Sequence, residues 1–344
     1  FAPPLAYIEA SGNIQPSRPS AQIINPAGSG NMPSTDPVTS GHPGTYMFCE
    51  NSGVITLNGY PRSSSVAPGT FALYDNSNPL LPVPITTSPT YFIDQNNGTA
   101  TLDPALFTAS LPAAKRYKEV LVTYTYRETV SPCISIAKLV IQITPNPVPD
   151  FTFSTTCEDV PVNFTDTTPA LPGGFTVASW SWDFGDANSG SLNTSTAQNP
   201  AHTYATAQLY SPGASLSVTS NIGCPSITPA VKQLNVGGTP TVGMTYDGVA
   251  AGDTFRFTAT GSGVSSNDTF ASLTWSFNGA PLLPVTYPLQ SDYTTQATSQ
   301  PFPSSGKYVV DLKVTSGIGC VANLSDAVNL PNPISRTLVV LPKA

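Results

Sequence analysis

Two stretches of the sequence recur at a nearly constant spacing, and this repeat constrains the fold more than any other feature. Residues 178–184 (ASWSWDF) correspond to residues 271–277 (ASLTWSF), and residues 218–224 (VTSNIGC) correspond to residues 314–320 (VTSGIGC). The offsets are about 93 and about 96 residues, so one repeating unit is roughly 90–100 residues long. A unit of this size is typical of a seven-stranded β-sandwich.

The composition favours β-structure along the whole chain. Of the 344 residues 36 are proline and only 10% are charged, whereas 40% are hydrophobic. Proline and the abundant hydroxyl and amide residues disfavour helices and suit short strands joined by turns. We therefore expect an all-β fold of tandem Ig-like sandwiches, not a helical bundle, a coiled coil or a Rossmann-like enzyme.

The charge and the apolar runs limit the partners. The net charge of −7 argues against nucleic acid or an anionic membrane, because either favours a basic surface. No apolar run approaches the ~18 residues that a membrane helix needs. The N-terminus carries no signal-peptide pattern, so we expect that a leader has been removed or that the chain is a fragment.

Linker-like stretches rich in proline or glycine, near residues 144–149 and 237–240, divide the chain into an N-terminal lead segment and three modules. We expect an extended Pro/Ser/Gly-rich segment at 1–47, a sandwich at 48–146, and the two copies of the repeat at 147–237 and 238–344. In the copies, Trp182 and Trp275 stand mid-strand, as the core tryptophan of a sandwich does. Alternation at Tyr308, Val310, Leu312 and Val314 predicts a strand with one face on a core.

The second module carries the motifs of a known family. These are WDFGD at 182–186, NPAHTY at 199–204 and LSVTSNIGC at 216–224. With them the module resembles a PKD (polycystic-kidney-disease) domain over nearly its whole length. The third module resembles a degenerate PKD relative, since it keeps WSFNG at 275–279 but lacks the second aspartate and the NPxHxY stretch.

The first module resembles a different repeat. Its motifs are VITLNG at 54–59, LDPAL at 102–106 and VTYTY at 122–126, with Cys49 and Cys133 near its ends. Such repeats are common in large Bacteroidota surface proteins, where they alternate with PKD domains in gliding-motility-associated adhesins and other type IX secretion cargo. The resemblance implies an extracellular, non-catalytic role, although the sorting domain of that group is not visible here.

The cysteines indicate export. None forms a C-x-x-C motif, and with only His42 and His202 in the chain a zinc site is not expected. Well-spaced cysteines on β-rich segments fit structural disulfides in an exported protein.

Alignment of the modules predicts which cysteines pair. Cys49 and Cys133 bracket the first module, and Cys157 and Cys224 bracket the second. This predicts the intradomain bonds Cys49–Cys133 and Cys157–Cys224. The third module has a glycine near the position of Cys157, so Cys320 is left over, either as a buried free thiol or in an intermolecular bridge.

Few residues suggest chemistry, and each also has a structural interpretation. Asp183 and Asp186 fit a turn between strands, or a weak Ca²⁺ site with nearby carbonyls; no other cofactor is expected. Trp180 lies two residues from Trp182, where it either packs half-buried or stacks on a sugar. His202 falls within the PKD-like stretch, where packing is expected. No catalytic motif accompanies these residues, so we expect no enzyme.

The sequence thus predicts a cell-surface or extracellular structural or adhesive protein: a stalk, an adhesin segment or a filament subunit. The expected partners are further copies or further repeat domains, or surface glycans and proteins. Residues 1–47 are a candidate strand donor to a neighbouring copy, because sandwich edges accept strands. The alternative function is a carbohydrate-binding accessory region of a secreted hydrolase.

Overall fold

The fold is known from a computed structural model of the chain. It describes residues 7–11, 14–15, 46–60, 69–127, 134–247, 254–260, 266–277, 280–281, 285–290, 297–301 and 306–330. In these ranges strands dominate, which confirms the predicted all-β class of tandem sandwiches. The helix α1 (Pro104–Ser110) is far shorter than a membrane span, and no other helix in the described ranges could cross a membrane either.

The described chain divides into two compact units. The first comprises Phe1–Asp150, Thr167–Ser181 and Leu216–Ala230, and the second comprises Phe151–Asp166, Trp182–Ser215 and Val231–Ala344.

Ten strands up to residue 144, all in the first unit, form two sheets. They are β1 (Tyr7–Ser11), β2 (Ile14–Gln15), β3 (Tyr46–Cys49), β4 (Ile55–Tyr60), β5 (Thr70–Asp75), β6 (Val83–Pro84), β7 (Phe92–Asp94), β8 (Thr99–Leu102), β9 (Glu119–Arg127) and β10 (Ile134–Thr144). The sheet orders are β1-β4-β8-β7 and β2-β3-β10-β9-β5-β6. All neighbours are antiparallel except β3 and β10, which run parallel.

Alternation builds the core of these sheets. Phe71 and Leu73 of β5 are buried while Thr70 is exposed, as a strand with one face on a core requires. Ile55 and Leu57 of β4 enter the same hydrophobic cluster from the other sheet. The helix α1 adds Phe107, whose ring lies 5.5 Å from that of Tyr91. The helix begins at Asp103, whose carboxylate accepts a hydrogen bond from the Leu106 N–H at 3.0 Å.

The N-terminal lead differs from the expected separate segment. Its strand β1 pairs antiparallel with β4, from Tyr7 opposite Tyr60 to Ser11 opposite Thr56. Ile8 is buried in the core, which gives this stretch a tertiary reason to be a strand that local composition does not reveal. Residues 16–45 and His42 among them lie outside the described residues.

Seven strands follow between residues 151 and 235. They are β11 (Phe151–Phe153), β12 (Pro161–Asp166), β13 (Val177–Asp183), β14 (Thr194–Ser195), β15 (Ala201–Thr203), β16 (Leu209–Ser220) and β17 (Ala230–Asn235). They form the sheets β11-β12-β15 and β14-β13-β16-β17. Three 3₁₀ turns complete the helical elements of the described chain: Ala113–Lys115, Pro172–Gly174 and Ala187–Asn193.

Eight strands lie between residues 243 and 330, all in the second unit. They are β18 (Gly243–Asp247), β19 (Thr254–Thr260), β20 (Phe270–Phe277), β21 (Ala280–Pro281), β22 (Val285–Gln290), β23 (Ala297–Pro301), β24 (Gly306–Ser316) and β25 (Val321–Leu330). The sheet orders are β18-β19-β23 and β21-β20-β24-β25, with β22 also paired to β20.

The predicted alternation of β24 is present in the structure. Val310, Leu312 and Val314 are fully buried, Tyr308 packs at the margin of their cluster, and Lys313 is exposed. Trp275 of β20 lies opposite Leu312 in the β20–β24 register and is buried in the same cluster. The two tryptophans of the sequence repeat, Trp182 and Trp275, are therefore both core residues.

Candidate functional site: two cysteine junctions

Two disulfides link distant parts of the chain, one in each unit. Cys49 bonds to Cys224 and Cys157 bonds to Cys320, with a Cα–Cα distance of 5.6 Å in both pairs. The expected bonds Cys49–Cys133 and Cys157–Cys224 are therefore wrong, and Cys320 is not a free thiol. Cys133 lies outside the described residues.

The reason for the different pairing is a parallel backbone contact at the end of each module, made by a strand at Cys49 and by a single bridge at Cys157. Cys49 ends β3, which runs parallel to β10, so it lies opposite Thr144, the final residue of β10. Cys157 likewise forms a parallel bridge with Gly237, two residues after β17 ends. A cysteine near the start of a module in sequence thus lies at the exit of that module in space. There it meets a hairpin cysteine from the next part of the chain.

The first junction is buried among apolar side chains. Cys49 and Cys224 are buried in a cluster with Met47, Leu171, Phe175 and Ile222. The Thr144 hydroxyl donates a hydrogen bond to the Phe48 carbonyl at 3.0 Å and lies 3.1 Å from the sulfur of Cys224. The Glu50 N–H donates to the Thr144 carbonyl at 2.9 Å, which fixes the backbone after Cys49.

The second junction has the same backbone contact at the same place. The Glu158 N–H donates to the Gly237 carbonyl at 2.9 Å, as Glu50 does to Thr144. A side chain at Gly237 would have no room, because its Cβ would lie 2.7 Å from the Asp268 carboxylate and 3.0 Å from the sulfur of Cys320. Both segments that make this backbone contact have the sequence Cys-Glu.

The two hairpin cysteines are also held alike. Cys224 and Cys320 each donate a backbone hydrogen bond to the serine four residues before, Ser220 and Ser316, at 3.0 Å. The serine N–H returns a hydrogen bond to the cysteine carbonyl at 2.8 and 2.9 Å, respectively. The glycine before each cysteine has φ of +91° and +103°, a conformation that favours glycine. The repeated S-x-I-G-C sequence thus encodes one rigid turn used twice.

Asparagine pairs accompany both junctions. The Asn146 amide donates to Asn51 at 2.8 Å and to the Pro225 carbonyl at 2.7 Å, next to Cys224. The Asn267 side-chain amide donates to Asn235 Oδ1 at 2.7 Å, and the Asn267 backbone carbonyl accepts from the Asn235 side-chain amide at 2.8 Å. These amide contacts hold the chain on either side of each disulfide.

Removing the serine hydroxyl tests the turn. Ser316→Ala and Ser220→Ala each leave a buried cysteine N–H without its acceptor, so we expect a loss of about 1–3 kcal/mol in unfolding free energy. Denaturant titration of the oxidised protein measures it. Ser325→Ala on the exposed face of β25 is the matched control and is expected to change stability by less than ~0.5 kcal/mol. Equal losses of unfolding free energy in Ser316→Ala and Ser325→Ala would show that the Ser316 hydroxyl does not stabilise the turn.

The predicted tryptophans occupy different environments. Trp182 is 1% exposed, its ring lies 5.1 Å from Phe151 and 5.6 Å from Phe164, and its indole N–H donates to the Ala197 carbonyl at 2.9 Å. Trp180 is half-buried and has an interaction of its own, whereas its counterpart Leu273 is buried. Sugar stacking by Trp180 stays a prediction.

The two aspartates proposed for calcium already bind protein donors. Asp183 accepts from the Gly185 N–H at 2.8 Å and from the Asn193 amide at 2.9 Å. The buried carboxylate of Asp186 lies 3.1 Å from His202 Nε2, and the His202 ring stacks on Phe184 at 4.5 Å. Within the described ranges no cluster of three or more His, Cys, Asp or Glu residues could hold a metal ion. Calcium binding stays a prediction.

A buried phenol, Tyr204, and a half-buried phenol, Tyr117, predict loss of stability in alkali. Burial, with nearby Glu50, raises the pKa of Tyr117 to about 12, and burial with nearby Asp186 raises the pKa of Tyr204 well above its usual value. Unfolded tyrosine loses its proton near pH 10, so this stability is complete below pH 10 and falls as the pH rises further. Urea midpoints between pH 9 and 12 measure the fall.

The matched variant is Tyr204→Phe. It loses the hydrogen bond from the phenol to the Phe184 carbonyl at 2.9 Å, so we expect lower stability at pH 8. It also loses one raised pKa, so its stability should decline less steeply above pH 10. A midpoint that is constant from pH 9 to 12 in the parent protein would contradict the assignment.

The family comparison finds a similarity in the middle module. Residues 144–233 match the PKD domain family. The match covers 90 of the 344 residues, so it concerns this module and not the whole chain. This confirms the resemblance for that module, and the WDFGD and NPxHxY motifs supply Trp182, Phe184, His202 and Tyr204 to its buried aromatic core.

Several solved structures are also similar to the chain. The three N-terminal domains of the bacteriophage RB49 Highly Immunogenic Outer Capsid protein are 13% identical, over 81% of this chain and 94% of that one, with a TM-score of 0.36. The fibronectin(III)-like modules of Clostridium thermocellum CbhA are 14% identical, over 53% and 95%, with a TM-score of 0.31. A bacterial ice-binding adhesin of 1.5 MDa is 12% identical, over 83% and 93%, with a TM-score of 0.29. A search of curated proteins finds no match.

Proposed function

We propose that this chain is a non-catalytic extracellular structural or adhesive protein, in which tandem β-sandwich modules are joined covalently in series. The observation that carries the proposal is the repetition of one junction. The same Cys-Glu dipeptide and the same S-x-I-G-C turn meet at Cys49–Cys224 and at Cys157–Cys320. A design that recurs from module to module suits a protein whose role is to keep modules together.

The disulfides support an extracellular location, because such bonds persist in oxidising compartments and are rare in the cytosol. The PKD domain and the resemblance of the first module to repeats of Bacteroidota surface proteins support the same location. We propose a stalk or adhesin segment of that type, exported as type IX cargo. The expected partners are further repeat domains, other copies of the chain, or surface glycans and proteins.

The filament version of the proposal needs an exchange of strands between copies. Strand β1 pairs with β4 of its own chain, which removes part of the motivation for a donated strand from residues 1–47. The edges β1 and β6 of the two sheets still offer backbone groups to an added strand. We therefore favour the stalk or adhesin segment over the filament subunit.

Attachment of the intact chain to surfaces tests the proposal. Beads carrying the chain through a C-terminal tag are mixed with chain-coated, protein-coated and polysaccharide-coated surfaces, and the free chain is examined by electron microscopy and sedimentation. Bead attachment or assembly of the free chain supports the proposal. A chain that stays monomeric and attaches to none of these surfaces contradicts it.

The alternative, a carbohydrate-binding accessory region, is favoured by one observation. Trp180 is partly exposed where the third module has the buried Leu273. Glycan-array binding that is lost in Trp180→Ala and retained in Trp180→Phe, which keeps an aromatic face, would favour this function. Binding that is equal in both variants would exclude stacking on Trp180.

A further inference from the structure

The two disulfides are interleaved along the chain. In sequence order the bonded cysteines are Cys49, Cys157, Cys224 and Cys320, and the first bonds to the third and the second to the fourth. The bonds close loops with sequence separations of 175 and 163, and both loops contain residues 157–224. We propose that this interleaved pair is a redundant limiter of extension, which sets how far the protein can be stretched.

The limit follows from the covalent routes between Cys49 and Cys320. One route follows the backbone to Cys157 and crosses to Cys320, over about 108 residues, and another crosses to Cys224 and continues to Cys320, over about 96 residues. A third route crosses to Cys224, returns along the backbone to Cys157 and crosses again. It is the shortest, at about 67 residues, and it runs through the PKD domain in reverse.

The shortest intact route fixes the maximum extension, whichever modules unfold. At about 3.4 Å per residue, the route of about 67 residues spans at most about 230 Å. With both bonds reduced, Cys49 and Cys320 are joined by about 271 residues, which span about 920 Å. The maximum span between Cys49 and Cys320 in the oxidised protein is therefore about a quarter of that in the reduced chain.

Redundancy is the distinctive consequence. Loss of the Cys157–Cys320 bond lengthens the shortest route by about 100 Å, and loss of the Cys49–Cys224 bond lengthens it by about 140 Å. Loss of both lengthens it by about 690 Å, far more than the sum of the two single losses. Bonds closed in series within separate modules would give additive increments instead.

The surroundings of the sulfurs keep the limiter closed while the modules are folded. All four cysteines are buried, with at most 6% of any residue exposed. Thiol–disulfide exchange requires access of a thiolate to the sulfur. A reductant thus reaches the bonds after a junction opens, so the folded protein retains its limiter even where small thiols are present.

Single-molecule extension in optical tweezers tests the inference. The full chain carries a peptide tag at each end, and Cys133→Ser is present in every variant to prevent exchange. Contour length at full extension is compared for the oxidised protein, for Cys49→Ser with Cys224→Ser, for Cys157→Ser with Cys320→Ser, and for all four serines. We expect increments of about 140, 100 and 690 Å over the oxidised protein.

A second measurement, on a single tethered molecule of the parent protein, keeps the test valid if a variant fails to fold. The oxidised protein is stretched before and after dithiothreitol is added, and the increment should again be about 690 Å. Single-bond variants whose increments add up to that of the four-serine variant would overturn the inference, as would no gain on reduction. The result depends on bond connectivity alone, so it can fail or succeed independently of the attachment test above.

Discussion

Trp182→Ala is expected to lower the free energy of unfolding of the PKD domain by about 3–5 kcal/mol, the range for large aromatic truncations in cores. The indole contacts Phe151 and Phe164, and its N–H satisfies the Ala197 carbonyl. Truncation leaves both a cavity and an unpaired carbonyl, and the two costs act in the same direction. Calorimetry of the oxidised protein, with the transition of this domain resolved, measures the effect.

The matched control lies two residues away. Trp180→Ala removes the same side chain from a half-buried position, so its cost should be clearly smaller. Trp275→Ala, at the equivalent core position of the third module, should be costly like Trp182→Ala. Equal losses for Trp180→Ala and Trp182→Ala would contradict the difference in burial between the two side chains.

Loss of one junction is the second large effect. Replacing both Cys157 and Cys320 with serine should lower the free energy of unfolding by about 2–5 kcal/mol, because a loop with a separation of 163 then regains its freedom in the unfolded state. Replacing Cys49 and Cys224 should have an effect of similar size. Thermal unfolding under non-reducing conditions measures both.

The control for cysteine removal is Cys133→Ser, which breaks neither junction. It should leave the melting temperature close to that of the parent protein under the same conditions. Reduction of the parent protein should lower the melting temperature at least as far as either double replacement. If Cys133→Ser destabilises as strongly as the junction variants, the pairing in the two junctions is contradicted.

Much of the fold could be predicted because it is written in local patterns. The alternation at Val310, Leu312 and Val314 and the repeated tryptophan segments report strands with one buried face, which the structure confirms. Strand β1 could not be predicted in this way. Its surroundings are rich in turn residues, and it is a strand because β4 supplies its backbone partners and the core receives Ile8.

The sequence shows the motifs of the two junctions but not which cysteines pair. The S-x-I-G-C turn repeats openly, and so does the Cys-Glu dipeptide at Cys49 and Cys157. Which cysteines pair depends on two parallel contacts, of Cys49 with Thr144 and of Cys157 with Gly237. A parallel contact between Cys49 or Cys157 and the end of its own module leaves no local periodicity, so spacing along the sequence predicts the wrong partners.

Disulfide mapping is the most direct test of the two interleaved junctions. The intact, non-reduced protein is alkylated and digested, and the cross-linked peptides are identified by mass spectrometry. Interleaved junctions predict one peptide pair containing Cys49 and Cys224 and another containing Cys157 and Cys320. Peptide pairs joining Cys49 to Cys133, or Cys157 to Cys224, would contradict them.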